Sequence, residues 1–182
     1  MPRLAPVADK SEIAAEYQSV VQAVLELFGG IRGPHSILLH SPRADERVMA
    51  LGNFFRYDSL VKSPERELAI ITAAREKDCL YIWAAQAGAS RRVGVREEAI
   101  ACVKERGDAS KLQPEEAEIV TYVQQLFGKN RVDQRAYDAL KERYGVQWLL
   151  ELTTMVGYYG MLAGVVNAFE LTPPPDGDRL PV

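Results

Sequence analysis

Apolar residues recur at helical spacing along almost the whole chain. From Ser11 to Phe28, the residues Ile13, Tyr17, Val20, Val21, Val24, Leu27 and Phe28 return every three or four positions. Gly29-Gly30 ends this run, since glycine accepts the left-handed conformation of a helix C-cap. After a loop with Gly33-Pro34, Ser41-Pro42 supplies an N-cap followed by proline at the first helical position. That signal opens a helix through Val48, Leu51 and Phe55. Ser63-Pro64 repeats it for a helix through Leu68, Ile71 and Ala74. Asp78 is expected to cap a helix from Cys79 to about Val93, closed by Gly94. A further helix spans about Arg96 to Arg106. Another begins at Pro114-Glu115-Glu116, its acidic first turn favoured by the helix dipole, and continues to Phe127 before Gly128. Asp133 starts one that ends at Gly145, and Val146 to Phe169 forms the longest. No strand-like alternation with hairpin turns and no solenoid period competes. The expectation is all-α, about eight helices, in a single domain over 1–182. Residues 1–10 form an N-terminal extension and 171–182 a proline-rich, extended tail.

The longest helix bears on localisation. Leu152 to Phe169 is eighteen residues without a charge, about the minimum for a membrane span. It contains Thr153, Thr154, three glycines and Asn167, abuts Glu151 and lacks a basic flank, so it reads as a buried helix. Gly157, Gly160, Ala163 and Gly164 lie on overlapping faces. These small residues fit either close packing within the chain or a subunit interface. No apolar leader precedes Ser11, and Cys79 and Cys102 form no disulfide framework or metal spacing, which suits a cytoplasmic setting. The 22 Lys and Arg against 25 Asp and Glu give a net charge of -3, without a basic stretch interleaved with aromatics. A nucleic-acid partner is therefore not expected.

The chemistry concentrates between Pro64 and Gly94. Cys79, Ile82, Trp83 and Gln86 sit at i, i+3, i+4 and i+7, along one helical face. Glu67 lies twelve residues before Cys79 on the preceding helix, and a turn near Lys77-Asp78 lets it face that stripe. A carboxylate, a thiol, a carboxamide and an indole then share one cavity. The same spacing also fits a plain core: Trp83 and Ile82 as packing, Cys79 as a small buried hydrophobe, Glu67 paired with an arginine.

Arg66-Glu67-Leu68-Ala69-Ile70-Ile71, then Cys79-Leu80-Tyr81-Ile82-Trp83, then Ala89 to Gly94-Val95 with Glu97-Glu98, resembles the core of carboxymuconolactone decarboxylase-like proteins. That superfamily includes the alkylhydroperoxidase D branch. His40-Ser41-Pro42 through Phe55-Arg56 resembles its N-terminal part, and Tyr137 to Gly145 with Leu152 to Ala163 its C-terminal part. The resemblance implies a small helical subunit in a homotrimer or homohexamer, no cofactor, and a site at the paired central helices. It also marks departures. The decarboxylase-like branch reads Tyr-Glu-Trp where this chain has Tyr81-Ile82-Trp83, with His where Gln86 stands. The thiol-peroxidase branch has two cysteines three apart and then His. Here Cys79 matches, while Ile82 and Gln86 replace the others. A dithiol cycle needs a second thiol within bonding reach, and Cys102 is far outside the motif.

Without the histidine, the motif lacks its natural proton carrier near neutral pH. Glutamine cannot titrate, but it can hold a carboxylate, carbonyl or phenol. Glu67 and Cys79 remain as the titratable groups, and desolvation would raise the pKa of either. His40 and Arg56 fall in matched segments. His40 reads either as a cavity residue or as a capping or surface histidine. Arg56 reads either as a substrate-carboxylate ligand or as a structural partner of Glu67. His35 and His40 are the only histidines and no acids cluster with them, so no metal site is expected. The leading expectation is a cofactor-free lyase or isomerase acting on a small organic acid, lactone or ring compound. Glu67 would carry acid–base work, Gln86 would orient substrate, Cys79 would add a polar contact, and Trp83 and Ile82 would shape the pocket. A non-catalytic oligomeric small-molecule-binding homologue and a single-cysteine redox protein are the alternatives.

Overall fold

The structure, a computed structural model, describes residues 1–181 and is all-helical. Nine α-helices occur among these residues. They are α1 (Gln18–Phe28), α2 (Pro34–Leu38), α3 (Pro42–Asn53), α4 (Glu65–Glu76), α5 (Leu80–Arg92), α6 (Glu97–Lys104), α7 (Pro114–Lys129), α8 (Gln134–Tyr144) and α9 (Val146–Ala168). The chain divides into two compact units. One comprises Met1–Asp58 with Gly164–Thr172; the other comprises Ser59–Ala163 with the segment from Pro173 onward.

In the first unit, Val7, Val20, Val21, Val24, Leu39 and Met49 form the core, with Ile13, Leu27 and Phe28 packed against it. Val7 belongs to that core, so residues 1–10 are more than an appended extension. The Val7 N–H donates to Ser36 O at 2.8 Å, and Arg3 N–H to Phe169 O at 2.9 Å. Gly29 closes α1 in the left-handed region as expected, at φ 67°. The helix begins only at Gln18, because Lys10–Glu12 and Ala15–Tyr17 are separate 3-10 turns. The expected loop after Gly33 contains the short helix α2, with Pro34 at its first position. Leu51, expected on the inner face of α3, is 45% exposed, whereas Asp45 and Met49 are buried. Asp45 can be buried because His35 Nδ1 lies 2.7 Å from its Oδ1.

In the second unit α4 is the central element. It packs against α5, α6 and α7, and every residue from Glu67 to Arg75 is buried. A helix apolar nearly all round belongs inside a core, which explains the unbroken run Leu68 to Ala74. Pro64 occupies the N-cap of α4, one position later than the Ser63-Pro64 signal implied. α7 runs past Gly128 to Lys129 and stops at Asn130, which adopts φ 54°. Its start carries a capping box between Gln113 and Glu116. Asp133 caps α8 through the Ala136 N–H at 2.8 Å, and Gly145 ends it at φ 87°.

α9 is the one helix among the described residues long and apolar enough to cross a membrane, with half of its most apolar window buried. Its small residues divide by role. A Cβ on Gly160 would come within 3.0 Å of the Phe127 ring, so a larger residue there would have to push that ring aside. Gly157 and Gly164 are exposed and face open space.

Candidate functional site

The link between α4 and α5 sets the site. Asp78 does not cap α5; it adopts the left-handed conformation at φ 44° and turns the chain back. Its carboxylate accepts from Arg75 and from Arg106. Arg75, itself buried, also donates Nε–H to Lys104 O at 2.8 Å. A left-handed residue without glycine costs conformational energy, and this net of charge-assisted bonds offsets it. Cys79 consequently becomes the N-cap of α5 rather than its first helical residue.

The stripe expected from spacing forms in part. Cys79, Ile82 and Trp83 are buried at 0%, 4% and 0% exposure, facing the interior. Gln86 sits half-buried at the edge of that face. Its carbonyl accepts from Ser90 Oγ at 3.0 Å, while its carboxamide makes no hydrogen bond to a described residue. Trp83 Nε1–H is buried and also without a partner. Leaving a buried donor unpaired costs about 1–3 kcal/mol, so a core built for stability alone would place phenylalanine there.

Burial pushes the Cys79 thiol up to about 11. The N–H groups of Ile82 and Tyr81, at the start of α5, pull in the other direction. They fall short of cap hydrogen-bond geometry, and desolvation wins. At neutral pH the sulfur is therefore a neutral thiol. Cys102 is partly exposed, and burial pushes its thiol up as well.

Glu67, 8% exposed, stands in the first turn of α4. Its Oε1 is 3.1 Å from Arg66 Nε, and Arg66 also donates to Ser63 Oγ at 3.0 Å. The arginine beside Glu67 is thus its chain neighbour Arg66, whereas Arg56 is the partner expected from the matched segments. At the first turn, the Arg66 side chain curls back toward Ser63. No hydrogen bond joins Glu67 to Cys79, Trp83 or Gln86 among the described residues.

His40 and Arg56 belong to the first unit. His40 is exposed, and its Nε2 lies 2.9 Å from Ala5 O. Arg56 is exposed and stands over the Phe28 ring at 5.4 Å. No group of three or more His, Cys, Asp or Glu that could hold a metal occurs among the described residues.

Solved structures share this architecture. An uncharacterized peroxidase-related protein from Ralstonia eutropha JMP134, described as an alkylhydroperoxidase AhpD core, aligns at TM-score 0.74 and 16% identity over 96% of this chain and 93% of its own. An uncharacterized peroxidase-related protein from Silicibacter sp. TM1040 aligns at TM-score 0.75 and 15% identity, covering 97% and 93%. A protein of unknown function from Agrobacterium tumefaciens gives 0.68 and 17% over 79% and 99%. No protein-family model and no curated protein matches the sequence. At these identities the likeness establishes the fold, which is alkylhydroperoxidase D-like, in agreement with the resemblance read from residues 64–94.

Proposed function

We propose that the chain is a cofactor-free lyase or isomerase acting on a small, largely apolar organic acid, lactone or ring compound bound beside α4 and α5. One observation carries this reading: the buried Trp83 N–H has no partner, one helical turn after a thiol that burial keeps neutral. An unpaired donor in an apolar wall suits a ligand oxygen, and donors aimed at an oxygen where charge develops lower the barrier to enolate-like chemistry. The Gln86 carboxamide offers a second donor. Glu67 would take a proton from carbon next to the carbonyl and return it, with no net oxidation. Turnover through Cys79 is disfavoured, since it needs a thiolate and a second thiol.

The Arg66–Glu67 ion pair favours a second reading, a binding protein without turnover, because a carboxylate already engaged by a neighbouring guanidinium fits a structural role. One experiment separates the two. A panel of lactones and aromatic acids is incubated with wild type and Glu67→Gln, and both binding and conversion are followed by NMR. The enzyme reading expects conversion that falls about 100-fold or more in the variant, the usual scale for a lost acid–base group. Binding without conversion in either protein would establish the second reading, and no binding at all would reject both.

We also propose a homotrimer or homohexamer. Val146, Leu150 and Met161 are 58%, 62% and 43% exposed. With Gly157 they fall on one face of α9, an apolar strip unusual for a solvent-facing helix. Light scattering should give a mass well above 20.3 kDa, and Leu150→Asp should lower it; a wild-type monomer at micromolar concentration would reject the assembly.

A further inference from the structure

The segment after Pro173, expected as an extended, proline-rich tail, returns to the helix that carries the stripe. The Gly177 N–H donates to Pro174 O at 3.2 Å, forming a turn. That turn lays the Gly177 backbone directly on α5. A Cβ built on Gly177 would lie 2.6 Å from Ala84 Cβ and 2.7 Å from Ala84 O. Glycine is required there by contact rather than by backbone conformation. The next residue, Asp178, pairs its Oδ2 with Arg91 NH1 at 2.7 Å. Arg91 also holds Glu97 at the start of α6, at 2.7 and 3.0 Å. Two residues further on, Leu180 is 6% exposed and anchors the segment. Ala84 and Arg91 stand at i and i+7, and the helical repeat turns them away from Ile82 and Gln86.

We infer that residues 173–181 form a strap that presses α5 inward from its outer face, and that Gly177 and Asp178 are positioning residues for Trp83 and Gln86. The site at α5 is that of the proposed function, but the strap can be tested without ligand. Strand-like or unanchored tails leave no footprint on a helix; this one meets α5 through a glycine contact, an ion pair and a buried leucine. Pressing on one face of α5 fixes how far the opposite face projects toward α4. A displacement of that helix would therefore appear first in Trp83, whose indole is fully enclosed.

The test uses the full chain and reads two ligand-free signals: the Trp83 indole N–H resonance and amide exchange across α5. Gly177→Ala should shift the Trp83 resonance and speed exchange in α5 by about tenfold, the scale of an overpacked contact, with α8 unchanged. Asp178→Asn should act in the same direction but more weakly, and Asp178→Glu should restore the wild-type signals by keeping the carboxylate. Should Gly177→Ala unfold the chain, the Asp178 pair alone decides. An unmoved Trp83 resonance in the folded variants, or exchange that rises equally in α5 and α8, would overturn the strap as a positioning device. Because no ligand is present, that outcome leaves the catalytic reading standing; conversely, a failed ligand screen leaves the strap standing.

Discussion

Each unit holds a buried polar site in which one atom lacks a partner, and the two sites differ in how the rest is held. In the first, His35 and Asp45 are 4% and 0% exposed and bind each other through Asp45 Oδ1 at 2.7 Å, while Asp45 Oδ2 is buried without a partner and Phe28 stacks on the imidazole at 4.4 Å. In the second, Cys79 and Trp83 are as deeply buried, yet the thiol is neutral and the indole N–H has no partner. A partnered buried pair secures local structure; an unpartnered buried donor holds hydrogen-bonding capacity in reserve.

The largest expected effect breaks the partnered side. His35→Ala leaves Asp45 as a buried carboxylate with neither oxygen paired, which costs about 3–5 kcal/mol. Urea unfolding of the first unit should show this loss; a change below about 1 kcal/mol would mean that the pair contributes no more than an exposed one.

The next effect lies on the unpartnered side. Gln86→Leu keeps bulk but removes both hydrogen-bonding functions, and affinity for a carbonyl or carboxylate ligand should fall by about 1–3 kcal/mol. The melting temperature should hardly move, because the carboxamide makes no hydrogen bond to a described residue. Lost stability with unchanged affinity per folded molecule would assign Gln86 to structure instead.

A smaller effect concerns pH. Burial pushes the Cys79 thiol from its ordinary value of 9.0 up to about 11 in the fold. On raising the pH, the unfolded chain loses this proton first, so the stability from a neutral buried thiol is complete below pH 9 and is lost as pH rises through about 11. Cys79→Ala should flatten that alkaline decline. The same burial predicts that iodoacetamide at neutral pH labels Cys102 well before Cys79. Fast labelling of Cys79, or loss of two thiols per chain on peroxide treatment, would restore thiol chemistry to this fold.

Much of the fold was legible because its signals are local. Gly29, Asp133, Gly145 and the Pro114 start act through their own turn, and periodicity marked the α5 stripe. What sequence missed depends on partners distant in the chain. Nothing local marks Asp45 for burial; His35, ten positions earlier, comes beside it. Asp78 looked like a cap because Asp commonly is one; Arg75 and Arg106 hold it in a left-handed turn instead. α7 passes Gly128 because glycine within a helix is only a modest penalty, and Asn130 takes the cap. Gly177 carries no sequence signature at all, since its requirement is the nearness of Ala84.

Whether α5 offers its unpartnered donor to a ligand oxygen is read most directly at the Trp83 N–H itself. The protein contains two tryptophans, Trp83 and Trp148, so Trp148→Phe assigns the remaining indole N–H resonance. Titrating with lactones and aromatic acids should move the Trp83 resonance downfield in a saturable way, and Gln86→Leu should weaken that titration. A ligand that binds or is converted while the Trp83 N–H resonance stays fixed would contradict the account.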